Sequence, residues 1–261
     1  MFLSEPPQTQ FDLHFAVFGT HIRVHPLFWL FACILGVRAA QQSENAGLAI
    51  LIWVAALFVS VLVHEMGHVV AMRYYGQRAR VVLYTFGGLA IPDVSPYSFG
   101  YGRGRSPMQQ IIISAAGPAA GFLLAAIVVA IVFLARGSVE FGLYYVIPVW
   151  QLHGFSNVYT AMLVNCLLLV NIFLGLLNLM PVYPLDGGQI SRELFIVSNP
   201  RDGIQQSLWL SLIVAAALAV GTLMLGDFFI AILFGSLAFG SWQMLQQISG
   251  RGGGFGGGNP W

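Results

Sequence analysis

Six stretches of this chain are long and almost uninterruptedly apolar: residues 24–40, 47–72, 107–135, 157–181, 206–225 and 228–247. A helix needs about 20 mostly apolar residues to cross a bilayer, so the pattern predicts an all-α polytopic membrane protein with six transmembrane helices. Ahead of the first stretch, apolar and polar residues alternate from Phe11 to His25 around Gly19-Thr20, the period of a short β-hairpin. Residues 141–152 are apolar but short and contain Pro148. They predict an interfacial or re-entrant piece between the third and fourth spans. The Gly-rich end, residues 250–261, reads as a flexible tail. The expected organisation is an N-terminal cytoplasmic segment 1–25, a six-span core 26–249 and the tail 250–261.

Composition supports the membrane reading. Hydrophobic residues make up 57% of the 261 and charged residues only 8%, against about 25% charged in a soluble domain. The formal net charge is +1 and no basic tract is present, which excludes a nucleic-acid partner held by bulk charge. Cys33 and Cys166 both lie in apolar stretches, so no disulfide framework is expected. The N-terminus has no basic region followed by an apolar run and a cleavage site, so residues 1–25 are expected to be mature sequence.

The arginines give an orientation. Arg73, Arg78, Arg80, Arg103 and Arg105 fall between the second and third spans, and basic residues in short loops stay cytoplasmic. Arg23, Arg192, Arg201 and Arg251 then fall on the same side, and only Arg38 and Arg136 on the other. Both termini are expected in the cytoplasm, with the cell membrane as the location.

The second span ends in LVHEMGHVV, where His64 and His68 stand four apart. On a helix both imidazoles then project from one face, one turn apart, and can share a metal. Zn²⁺ suits such nitrogen donors and leaves an open position for water. Glu65, next to the first histidine, is placed to act as general base, which describes a metal-activated hydrolase. Three ionisable residues within five positions of an apolar span are costly there and mark function.

A third protein ligand is required. The acids and histidines after His68 are Asp93, Glu140, His153, Asp186, Glu193, Asp202 and Asp227. Asp186 stands apart because it follows the fourth span directly, in NLMPVYPLDGGQI, on the side of the membrane where HEMGH ends. Pro181 and Pro184 break the helix, and Gly187 and Gly188 permit a tight backbone. Non-helical chain at membrane depth must be surrounded by protein or water, as a hydrolytic site needs. A turn aspartate that caps the next element is the competing reading.

HEMGH, SAAGPAAG (114–121) and NLMPVYPLDGG together resemble the site-2 protease family of intramembrane zinc metalloproteases, with fainter matches in VHPLFWL (24–30) and LYTFGGLA (83–90). The resemblance implies that His64, His68 and Asp186 hold zinc and that Glu65 is the catalytic glutamate. It implies too that Asn178 contacts the substrate backbone, and that Arg80–Pro92 forms membrane-associated β-structure whose edge accepts an unfolded substrate. The implied substrate is a transmembrane segment of another protein, cut where its helix unwinds. No PDZ or CBS domain is expected, which matches a minimal-core member. The oligomeric state is left open.

The small residues from Ser114 to Gly121 are expected to pack the third span against the histidine-bearing one, and Asn165 and Asn171 to bond between helices. Two other functions remain in play: an intramembrane zinc transporter, and a catalytically silent binder of membrane proteins. A prenyl-protein-processing type of protease also carries HExxH, but the second glutamate motif it would need is missing from the later spans.

Overall fold

The computed structural model describes residues 5–41, 43–85, 87–92, 106–144 and 147–251. Asp93, Arg103, Arg105 and residues 252–261 of the Gly-rich tail lie outside the described residues. Backbone contacts divide the chain into two units, Met1–Gly102 with Ala116–Leu176, and Arg103–Ala115 with Leu177–Trp261.

The first unit opens with the expected hairpin. Strands β1 (Leu13–Val17) and β2 (Thr20–Val24) pair antiparallel. Phe18 and Gly19 between them both have positive φ, 47° and 71°, the handedness that matches the twist of a two-residue hairpin. β2 then pairs in parallel with β3 (Ala79–Tyr84), and β3 antiparallel with β4 (Gly87–Pro92), giving the order β1-β2-β3-β4. Residues 80–92, expected to be β-structure from the resemblance alone, thus complete one sheet with the N-terminal hairpin. Its middle is the buried run Ile22, Val24, Val81, Val82 and Leu83.

Helix α1 (Pro26–Ala40) begins where His25 Nδ1 accepts the Leu27 N–H and Pro26 occupies the first turn. Its 15 residues rise about 22 Å, less than the ~30 Å hydrocarbon core. Among the described residues, five helices are long and apolar enough to cross a bilayer: α2 (Ala46–Tyr74), α3 (Pro107–Leu134), α4 (Val158–Asn178), α6 (Gly203–Met224) and α7 (Phe228–Arg251, apolar over Phe228–Ile248). The first of the six predicted spans is the short α1. Leu51, Ile131, Ile213 and Ile232 leave their helices largely exposed, as faces meeting lipid do.

The 141–152 region differs from its expected form. Strands β5 (Ser138–Tyr144) and β6 (Ile147–His153) make an antiparallel hairpin, with Val139 and Trp150 packed among residues of α3 and α4. Each strand of a two-stranded ribbon has a free edge, so Pro148, which lacks an N–H, is tolerated.

In the second unit, the chain after α4 turns through Pro181 and Pro184 into α5 (Asp186–Ser198), so Asp186 is the first residue of a helix. α6 and α7 pack on one another around Ala215, Phe234, Leu237 and Ala238, and Val182 of the bend is fully buried in that cluster.

Candidate metal centre

Helical spacing aligns His64 and His68 on one face of α2, and both are at most 7% exposed. Their Nε2 atoms face each other at 3.2 Å, with the ring planes at 78°. Two imidazoles bound to one tetrahedral zinc at 2.0–2.1 Å place their nitrogens about 3.3 Å apart. The pair therefore already has the separation of two ligands on one ion.

α3 closes over this pair. A Cβ on Gly117 would overlap His68 Nε2 and come within 2.8 Å of His64 Nε2. Immediately beside it, a Cβ on Gly67 of α2 would strike the Ala116 carbonyl and lie 2.8 Å from the Ala120 methyl. Ala116, Gly117 and Ala120 of SAAGPAAG thus do pack the third span against the histidine-bearing helix, as expected of this run. Beyond that, glycine at 117 is what lets α3 approach the two ring nitrogens, a contact the motif did not reveal.

Glu65 is 5% exposed and faces a different neighbour. A Cβ on Gly88 of strand β4 would overlap its side chain, reaching within 2.6 Å of Oε1. The sheet therefore lies directly against the carboxylate, and a glycine in the GG pair makes room for it. Deeper in the unit, Asn171 of α4 donates from Nδ2 to Ser60 Oγ of α2 and to the Leu167 carbonyl, both at 2.8 Å. Ser60 stands one turn before His64, so this bond ties the histidine helix to α4 at the adjacent level. Asn165 instead accepts from Trp150 Nε1 at 2.9 Å, a bond to the β5–β6 hairpin rather than to another helix.

In the second unit Asp186 is 7% exposed and opens α5. A carboxylate at a helix N-terminus is favoured by the N–H groups and dipole there. Gly187 and Gly188 make the approach possible: a Cβ on Gly187 would overlap the Leu179 carbonyl, and one on Gly188 would crowd the Val182–Tyr183 peptide. Asn178 is the half-buried last residue of α4. His64 and His68 in the first unit and Asp186 in the second are each buried donors of the types that hold a metal ion. Two neutral imidazoles and one carboxylate are the donor chemistry of a zinc site with a position left for water.

Comparison with known proteins places the chain in a family. A zinc metalloprotease of Methanocaldococcus jannaschii is 28% identical over 182 residues, covering 69% of this chain and 44% of its own length. A relative from Synechocystis sp. is 29% identical over 250 residues, or 89% of this chain and 57% of its own. The chain spans about half the length of these curated relatives. A site-2 protease structure from Methanocaldococcus jannaschii shares the fold, with a TM-score of 0.52 at 23% identity over 90% of this chain and 95% of that one. Residues 52–220 match the sequence profile of peptidase family M50. That profile runs from the histidine helix through the aspartate segment and covers well over half of the sequence, so the chain belongs to peptidase family M50.

Proposed function

We propose that this chain is an intramembrane zinc metalloprotease that hydrolyses peptide bonds within or near the transmembrane segments of protein substrates. An integral, multi-pass membrane setting follows from the five long apolar helices and the family. The proposal extends this to the cell membrane, with both termini cytoplasmic and the core within 26–249. The observation that carries the reading is the 3.2 Å separation of two buried imidazole nitrogens beside a buried glutamate.

In this reading His64 and His68, through their ring nitrogens, and Asp186, through its carboxylate, would hold one zinc ion. Bound zinc supplies Lewis acidity, polarising a carbonyl and lowering the pKa of water to about 7. Glu65 takes the proton from the attacking water and passes it to the departing amine, so that the carboxylate ends as it began. Asn178 is assigned to the substrate backbone. A substrate helix keeps its carbonyls bonded along its own axis, so it must unwind locally before Glu65 can act on water beside an open peptide.

Glu65→Gln tests the assignment. The variant should retain zinc yet lose cleavage of a membrane-spanning reporter by at least about a thousandfold, since acid–base and nucleophile activation fail together. Normal turnover by that variant defeats the mechanism. Zinc flux through vesicles holding the wild-type chain would favour a transporter instead.

A further inference from the structure

The last two helices contribute no residue to the proposed chemistry, yet they hold the segment from which Asp186 emerges. Ser211 of α6 accepts a hydrogen bond from the Tyr183 backbone N–H at 2.8 Å, and its Oγ lies 2.7 Å from Ser241 Oγ of α7. Both serines are 1% exposed. Two hydroxyls in an apolar helix pair are costly unless bonded. Gluing α6 to α7 would need only the serine pair. The third partner, a backbone N–H three residues before Asp186, goes beyond that role.

The bend around this N–H is tightly determined. Val182 is fully buried among Ala215, Phe234, Leu237 and Ala238 of α6 and α7. Gly188 fits against the Val182–Tyr183 peptide only because it has no side chain, and the Leu185 N–H returns to the Val182 carbonyl at 2.8 Å. A shift of Tyr183 is therefore passed through packed backbone to the first turn of α5.

We propose that Ser211, backed by Ser241, is a positioning residue for Asp186: the serine pair fixes the 181–185 bend, and through it the direction of the carboxylate. The inference rests on the reading of Asp186 as a zinc ligand. Groups that orient a metal ligand from outside commonly change metal affinity by 10–100-fold when removed.

The test is zinc affinity of the full chain in detergent micelles, measured by competition with a chromophoric chelator. Ser211→Ala should weaken zinc about tenfold and Ser241→Ala about threefold, while Ser211→Thr, which restores the hydroxyl, should bind as wild type. Ser207→Ala in α6 and Ser236→Ala in α7 are the controls, because those hydroxyls bond only their own helices, to the Ile204 and Leu233 carbonyls. The controls should leave affinity unchanged. Wild-type affinity in Ser211→Ala alongside a large loss in Asp186→Ala overturns the positioning role and leaves the ligand assignment standing. Equal losses in Ser211→Ala and the controls reduce the pair to general packing and also overturn it. Unchanged zinc in Asp186→Ala removes the ligand assignment itself.

Discussion

Gly117 of α3 lies against the Nε2 atoms of His64 and His68 so closely that a methyl group at that position would overlap His68. The face of α2 proposed to bind zinc is thus shaped by a residue with no ligand atom. One turn further along the same helix, a Cβ on Gly121 would meet nothing nearer than Asn171 Oδ1 at 3.4 Å, an ordinary contact.

Gly117→Ala should therefore lower zinc affinity by about a hundredfold or more, by turning at least one ring away from its ligand direction. Gly121→Ala should keep the wild-type metal load. Zinc per protein, measured by atomic emission on both purified variants, checks the contrast. Equal loading in Gly117→Ala and wild type would show that the rings can swing aside without cost.

The neighbour of Glu65 makes a separate prediction. Gly88 of β4 leaves the space that the Glu65 side chain fills, so Gly88→Val must displace either the carboxylate or the strand. Misplacing a catalytic group by about 1 Å can cost about 10²-fold. Cleavage should drop by that order while bound zinc stays at wild-type level, because His64 and His68 face α3 instead. Loss of zinc in this variant would mean that the sheet supports the whole centre.

Much of this arrangement can be read along the chain because it depends on local spacing. His64 and His68 are one turn apart on any helix, the closely spaced Pro181 and Pro184 prevent α4 from continuing past Asn178, and alternation around Gly19 makes a hairpin of residues 13–24. Contacts between elements distant in sequence leave no such trace. Gly88 against Glu65 and Gly117 against two imidazoles join residues separated by 23 or more positions, and each glycine alone looks like any other small residue. Length misled in two places. A run of apolar residues around Pro148 is equally consistent with an interfacial segment and with the strands observed. The first apolar stretch includes residues that β2 and the His25 cap claim, which leaves α1 with 15.

The Ser60–Asn171 bond offers a double-mutant test. Asn171 is 1% exposed, and its Oδ1 is buried with no hydrogen-bond partner among the described residues, while Nδ2 reaches Ser60. Hydrogen bonds between membrane helices average about 0.6 kcal/mol and reach about 1.7, and removing one partner strands the other. Ser60→Ala should destabilise the chain by roughly 0.6–1.7 kcal/mol. Ser60→Ala with Asn171→Leu should be closer to wild type than Ser60→Ala alone, since the stranded amide is gone. Unfolding in denaturing detergent measures both, and simple additivity would remove the coupling.

At the sheet, outside the spans, Asp12 supplies the pH dependence. Partial burial pushes its carboxyl pKa upward, but bonds from the Thr9 hydroxyl and N–H, with the charges of Arg23 and His25, outweigh this and hold it below the ordinary carboxylate value. A pKa lower in the folded than in the unfolded chain means that the unfolded chain binds the proton first on acidification. The stabilisation is then complete above about pH 5 and drains away as pH falls through about 3.9 towards the lowered value. Asp12→Asn should melt about 2 °C below wild type at pH 7, a small gap because such an ion pair is screened and worth little. Near pH 3 the two melting points should draw together. Because the comparison is a difference between two chains, acids elsewhere cancel from it. A gap that stays constant from pH 7 to pH 3 would assign the loss to the Thr9 hydrogen bonds alone and not to the carboxylate charge.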